Sequence, residues 1–149
     1  MKNNISDEGI RLIKHFEGCE LTAYLCSANV LTIGWGYTKN VQEGDVWSQE
    51  KADYMLEEEL IEYSEYVNDL VKVPLNQNQF DALVSWVYNL GPTNLQSSTL
   101  LKVLNAGEYD SVPEQILRWD KANGQRLEGL ARRRKAESLL FSGKNWEIV

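Results

Sequence analysis

The sequence predicts an α+β fold dominated by helices, with one small β-hairpin sheet in its N-terminal part. Three observations predict it. Apolar residues recur at helical spacing over most of the chain. One stretch, Val30 to Thr38, switches to β-branched and aromatic residues punctuated by glycine. Capping residues and glycines then divide the remainder into segments of ordinary helix length. The 149 residues suffice for one domain, or for two small lobes sharing a long element, with a core that needs neither disulfides nor a structural metal. An apolar content of 43% and a charged content of 25% match folded domains and exclude a disordered or repetitive chain.

Ser6 is a good N-cap, Asp7 and Glu8 suit a first turn, and Ile5 is spaced to staple onto Ile10, so a helix begins there. Ile10, Ile13 and Phe16 carry its apolar face, and Gly18 offers the residue beyond its end. From Leu21 to Thr38 the pattern predicts a hairpin whose turn is Ser27-Ala28-Asn29. Ser48 caps a long helix with an apolar stripe of Ala52, Met55, Leu56, Leu60, Tyr63, Val67 and Leu70, ending before Val73-Pro74. At 1.5 Å per residue it spans ~35 Å, longer than one small lobe needs, so it links two. Beyond Pro74 the chain reads as helices throughout. Asn76 with Gln79 predicts a capping box opening a helix that runs to Leu90 and is stopped by Gly91-Pro92. Ser98 opens a short helix ending near Gly107. Ser111 with Glu114 predicts a second box, leading to Trp119 and a stop at Asn123-Gly124. A last helix passes through Leu130, Leu139 and Leu140 and stops at Gly143. The expected organisation is one domain: an N-terminal lobe of about 1–47, a linking helix of about 48–72 and a helical lobe of about 74–149, with the first helix packing on the helical lobe.

A net charge of −7 argues against nucleic-acid binding or attraction to an anionic membrane. Carboxylates crowd the stretch from Glu43 to Asp69, answered only by Lys51, and the balance reverses between Arg118 and Lys135. The expectation is two solvated faces, the run Arg132-Arg133-Arg134 included; the alternative is a basic rim toward an anionic glycan or peptide. The N-terminal residues carry no signal-like apolar run, and no segment is apolar enough to span a bilayer, so synthesis and retention in a cytoplasm are expected, without stable membrane insertion. Two cysteines, Cys19 and Cys26, are too few for a disulfide framework and are expected as thiols in a reducing compartment. Their seven-residue separation, with a turn between, leaves a disulfide open once the medium becomes oxidising.

Glycine-rich phosphate loops and paired-cysteine zinc spacings are absent, and the single histidine, His15, reads as a solvated or packing residue. Neither a metal nor a cofactor is expected, and Ser-His-Asp chemistry has no material. Glu17 is better placed. A carboxylate at a helix C-terminus meets the negative end of the dipole, which disfavours the ionised form and suits a proton donor. Glu20, Glu43 and Asp45 read as solvated carboxylates.

The segment from Glu17 to Cys26, with Ala23-Tyr24 inside it, and Thr32-Ile33-Gly34-Trp35-Gly36-Tyr37 after it, resembles the active-site signature of phage-type lysozymes, glycoside hydrolase family 24. That signature is a glutamate, eight residues, an aspartate or cysteine, five residues and a threonine; Glu17, Cys26 and Thr32 match it. Asn78-Gln79-Phe80-Asp81-Ala82-Leu83, Asn89-Leu90-Gly91, Ser98-Thr99-Leu100-Leu101 and Gly129-Leu130-Ala131-Arg132-Arg133 look like later segments of the same family, so the resemblance runs from Ile5 to about Gly143.

The resemblance implies a lysozyme-like fold and an endolysin that hydrolyses the β-1,4 bond between N-acetylmuramic acid and N-acetylglucosamine of bacterial peptidoglycan. Glu17 would protonate the departing oxygen and Thr32 would hold the attacking water. Cys26 stands where many relatives have aspartate, and its readings are water positioning, a base of lowered pKa, or a nucleophile, in that order. Tyr24 and Trp35, near the implied cleft, are the candidates for sugar contact, whereas Trp86, Tyr88 and Trp119 belong to apolar helices and read as core. A lytic transglycosylase, giving 1,6-anhydro-muramic ends, and a catalytically silent glycan-binding protein are the alternatives. An enzyme of this kind, expected as a monomer, would reach the wall from the host cytoplasm only after a separate pore-forming holin opened the way, and would act in the periplasm.

Overall fold

The computed structural model describes residues 3–26 and 29–149. In chain order it contains α1 (Asp7–Glu17), β1 (Glu20–Leu25), β2 (Leu31–Gly34), α2 (Gln49–Leu70), α3 (Gln77–Leu90), α4 (Pro92–Ser97), α5 (Thr99–Asn105), α6 (Val112–Leu117), β3 (Lys121–Ala122), β4 (Gln125–Arg126) and α7 (Glu128–Phe141). Short 3₁₀ turns lie at Tyr109–Ser111 and Trp146–Ile148. The mostly helical α+β class expected from the sequence is the one observed.

Helix α1 starts after Ser6, as its capping pattern predicts, but the Ser6 side chain makes no cap bond to its own helix. Its hydroxyl bonds Asp81 of α3, and its backbone N–H donates to Asp81 Oδ1 at 3.0 Å. Gly9 permits this close approach, since a Cβ there would stand 2.8 Å from that of Asp81. Leu12 and Ile13 enter the same core as Phe80, Leu83 and Trp86 of α3. At the other end of α1, Gly18 takes φ 67 and turns the chain into β1.

Strands β1 and β2 pair antiparallel with Tyr24 opposite Thr32 and Leu25 opposite Leu31, after an irregularity between Glu20 and Tyr24. Of the predicted turn, Ser27 and Ala28 lie outside the described residues, while Asn29 adopts φ 64. The sheet is extended by Ala23 N–H to the Asp45 carbonyl (2.9 Å) and Trp47 N–H to the Leu21 carbonyl (2.8 Å).

Helix α2 is capped by Ser48, whose hydroxyl accepts from Lys51 N–H, and α3 carries the capping box predicted for Asn76 and Gln79. Three predicted boundaries differ. Gly91-Pro92 ends α3 but also opens α4, because proline at N1 gives up an N–H that a helix start leaves unpaired anyway. Ser111 makes no side-chain cap, and the helix after it ends at Leu117. Asn123-Gly124, read as a helix stop, is the two-residue turn of the β3–β4 hairpin, with φ 52 and 78.

Candidate active site

Four of the five residues singled out from the sequence line one cleft of about 400 Å³: Glu17, Tyr24, Cys26 and Thr32. Cross-strand pairing explains two of them, because residues directly opposite in an antiparallel pair present their side chains on the same face, here Tyr24 and Thr32. Glu17 arrives from the last turn of α1. Gly36 completes the floor with φ 92, and a Cβ there would come within 2.5 Å of Glu17 Oε1. The remaining lining residues are Thr38 and Lys39, Glu59 and Tyr63 of α2, and Tyr88 and Asn89 of α3.

Trp35, the fifth candidate, does not line the cleft. Its indole N–H donates to Asp53 Oδ1 at 2.7 Å, the Lys14 ammonium sits 5.0 Å from its ring centre, and its carbonyl accepts from the Tyr88 hydroxyl at 3.1 Å. Trp35, the residue after β2, is thus tied to α1 and α2 by its indole and to α3 by its carbonyl.

Glu17 is held by a cation that the sequence reading assigned to a solvated helix face. Arg133 Nη1 lies 2.7 Å from Glu17 Oε2. The same guanidinium reaches Glu137 Oε2 through Nε at 3.2 Å and the Ser85 carbonyl through Nη2 at 3.2 Å. Arg133, Arg134 and Glu137 are buried, at 3%, 0% and 0% exposure, whereas Arg132 and Lys135 remain outside. Burial opposes the charge on Arg133, yet Glu17 and Glu137 outweigh it and hold the guanidinium above its ordinary value. On Arg134, burial prevails over Glu137 and lowers it. Arg134 also donates to Asn89 Oδ1 at 2.9 Å, which leaves the Asn89 N–H donors for an occupant of the cleft. Elsewhere in the basic stretch, Arg118 pairs with Glu114, and Arg126 with Asp120 and Glu128.

Thr32 is 4% exposed and donates its hydroxyl proton to the Val30 carbonyl at 2.9 Å. Its Oγ1 lone pairs can therefore accept from a water in the cleft. Cys19 and Cys26 are both thiols. They flank strand β1, with no turn between them, and Cys26 lines the cleft whereas Cys19 does not. Cys19 is near Gln49, outside the cleft, and burial raises its thiol.

Glu20 and Glu43 are exposed, and Asp45 accepts from Gln42 N–H at 2.8 Å; none lines the cleft. The second carboxylate there is Glu59, 8% exposed, which sequence reasoning passed over although it falls on the apolar stripe of α2 beside Leu56 and Leu60. Burial raises Glu59 above the ordinary glutamate range, with Lys39 acting against it. Tyr88 is likewise a cleft residue; burial, with Glu59 and Glu17 nearby, raises its phenol. His15 packs edge-on against Phe16 and Trp146 and takes no part in the cleft.

The phage lysozyme family model matches residues 14–137. An endolysin of Acyrthosiphon pisum secondary endosymbiont phage 1 is 46% identical over 142 residues, which cover 93% of this chain and 97% of the relative. An endolysin of Bacillus phage B103 is 44% identical over 141 residues, and the match spans 93% of this chain but 54% of that longer protein. Among solved structures, the muramidase domain of SpmX from Asticaccaulis excentricus superposes with a TM-score of 0.87 at 38% identity, covering 94% of this chain and 98% of that one.

Proposed function

The chain belongs to the phage lysozyme family and is a glycoside hydrolase of the endolysin type; from that premise we propose that its cleft cleaves the β-1,4 bond between N-acetylmuramic acid and N-acetylglucosamine, with Glu17 as general acid. The observation that carries the assignment is the convergence of Glu17, Cys26 and Thr32 on one cleft from a helix end and the β1–β2 hairpin.

Glu17 in its protonated form gives its proton to the bridging oxygen as the bond to C1 of the muramic residue breaks. Positive charge then develops on the sugar ring. A water donating to Thr32 Oγ1, with Cys26 beside it, adds to C1 and releases its extra proton to bulk water, leaving a free reducing end. Arg133 is a positioning residue: it fixes the Glu17 carboxyl and favours the carboxylate left after proton donation. Tyr24, 38% exposed in the same cleft, is a contact for a bound sugar.

The cleft is read as lying between an N-terminal lobe of about 1–47 and a helical lobe of about 74–149 that α2 links, with α1 assigned to the helical lobe because it shares the core of α3. Among the described residues no helix is long and apolar enough to cross a membrane. The enzyme acts on the cell wall; as part of the proposal it does so as a monomer, in the periplasm, after a pore-forming holin gives it access from the cytoplasm.

Clearing of a peptidoglycan suspension tests the site. The wild type is expected to clear it, and Glu17→Gln to lose at least about 100-fold in rate. Its amide oxygen still accepts from Arg133, so thermal unfolding is expected near the wild-type midpoint. Mass spectrometry is expected to find reducing muramic ends. Undiminished clearing by Glu17→Gln would remove Glu17 from the mechanism, and 1,6-anhydro ends would make the enzyme a transglycosylase.

A further inference from the structure

Glu17 and Asn89 reach the cleft from different helices, yet both lead through an arginine to one buried carboxylate, Glu137 of α7. Glu137 follows Arg133 by four residues and Arg134 by three, so the three side chains share one side of the helix. Its Oε2 accepts from Arg133 Nε at 3.2 Å, from Arg134 Nη2 at 3.2 Å and from the Ser85 hydroxyl at 2.6 Å. Its Oε1 stands 2.8 Å from Arg134 Nε. Beyond Glu137 the two guanidiniums diverge. Arg133 reaches Glu17 Oε2 at 2.7 Å, and Arg134 reaches Asn89 Oδ1 at 2.9 Å. Ser85 and Asn89 stand one turn apart on α3, against which α7 packs. Glu137 itself is buried and does not line the cleft.

Two adjacent guanidiniums are tolerated in an interior only when carboxylates answer them, and in this network Glu17 and Glu137 do so. An asparagine amide can turn over with little change of shape, so the bond from Arg134 to Oδ1 decides that the N–H edge of Asn89 is left for the cleft. We propose that Glu137 is a positioning residue for both halves of the site. Through Arg133 it holds the Glu17 carboxyl against the bond to be broken, and through Arg134 it presents the Asn89 N–H groups to the glycan. The proposal rests on the muramidase reading above. Its consequence is that loss of the Glu137 charge alters turnover and binding together, although Glu137 touches no substrate.

The test reads the two branches apart on peptidoglycan-derived oligosaccharides. Glu137→Gln keeps the shape and an acceptor oxygen but removes the charge. It is expected to lower kcat about tenfold through Glu17 and to raise KM roughly fivefold through Asn89. Arg134→Lys keeps a cation beside Glu137 but lacks the fork that spans from Glu137 to Asn89, so KM is expected to rise by roughly the same factor with kcat within about twofold. Wild-type kcat in Glu137→Gln would overturn the Glu17 branch, and wild-type KM in Arg134→Lys would overturn the Asn89 branch. Titration of N-acetylglucosamine tetramers into Glu17→Gln, alone and combined with Asn89→Ala, Glu137→Gln or both, reads the second branch without turnover, so it stands or falls separately from the reaction assignment. Each added substitution is expected to weaken binding roughly fivefold, and the pair no more than either alone, because both remove one contact. Arg134→Lys is expected to give the same result in place of Glu137→Gln, so the outcome does not depend on the folding of one buried variant. Losses that multiply, or affinity unchanged by Glu137→Gln and Arg134→Lys, would overturn the proposal.

Discussion

Gly36 illustrates how one backbone position conditions the site. It combines φ 92 with a path so close to Glu17 that a Cβ would fall 2.5 Å from Oε1. In Gly36→Ala the left-handed conformation alone costs about 1–2 kcal/mol. The methyl group must also push Glu17 away, which breaks its 2.7 Å bond to Arg133. Thermal unfolding is expected to register the first effect, and peptidoglycan turnover to fall further than that loss of stability accounts for; wild-type turnover in a destabilised Gly36→Ala would contradict this geometry. Arg133 shows the converse, a charge whose burial is tolerated because three acceptors on different elements share it: Glu17, Glu137 and the Ser85 carbonyl. Only its four-residue spacing to Glu137 hinted at that role in the sequence.

At the scale of elements, helix ends were the readable features wherever the capping side chain had no better partner. Asn76 and Gln79 satisfy each other's backbone N–H groups at 2.9 and 2.8 Å, as their spacing predicts. Asn76→Ala is expected to lower unfolding free energy by about 1 kcal/mol in a urea titration, with activity unchanged. Ser6 has the same cap propensity, but tertiary contact gives its hydroxyl to Asp81 instead. The β3–β4 hairpin was hidden for a different reason. Its strands are two residues each, too short for an alternating pattern, so Asn123-Gly124 was the only signal, and it serves equally as a helix stop. Helix α2 presents carboxylates to water on one face and brings Glu59 into the cleft on another, so the acidic run is not one uniform surface.

Over the whole molecule, two carboxylates give stability opposite pH dependences. Glu59 is raised by burial, so it binds its proton more tightly folded than unfolded. Stability is therefore lost as pH rises from the ordinary glutamate value through the folded one. Glu59→Gln is expected to match the wild type in acid and to gain on it as pH rises past the ordinary glutamate range; a gap independent of pH in thermal unfolding would contradict it. Asp53 is lowered chiefly by the Trp35 indole N–H, so its solvent-screened contribution is present at neutral pH and disappears on acidification. The sequence by itself determined the helical α+β class, the hairpin, the long second helix and the family, because periodicity, caps and the spacing of Glu17, Cys26 and Thr32 are local along the chain. Only the tertiary structure decided that Arg133 is the buried partner of Glu17, that Trp35 braces the fold away from the cleft, and that Glu59, Tyr63 and Tyr88 line it. These facts depend on which face of one element meets another, 18 residues apart for Trp35 and Asp53 and 116 for Glu17 and Arg133, and no local pattern encodes the pairing of two distant charges.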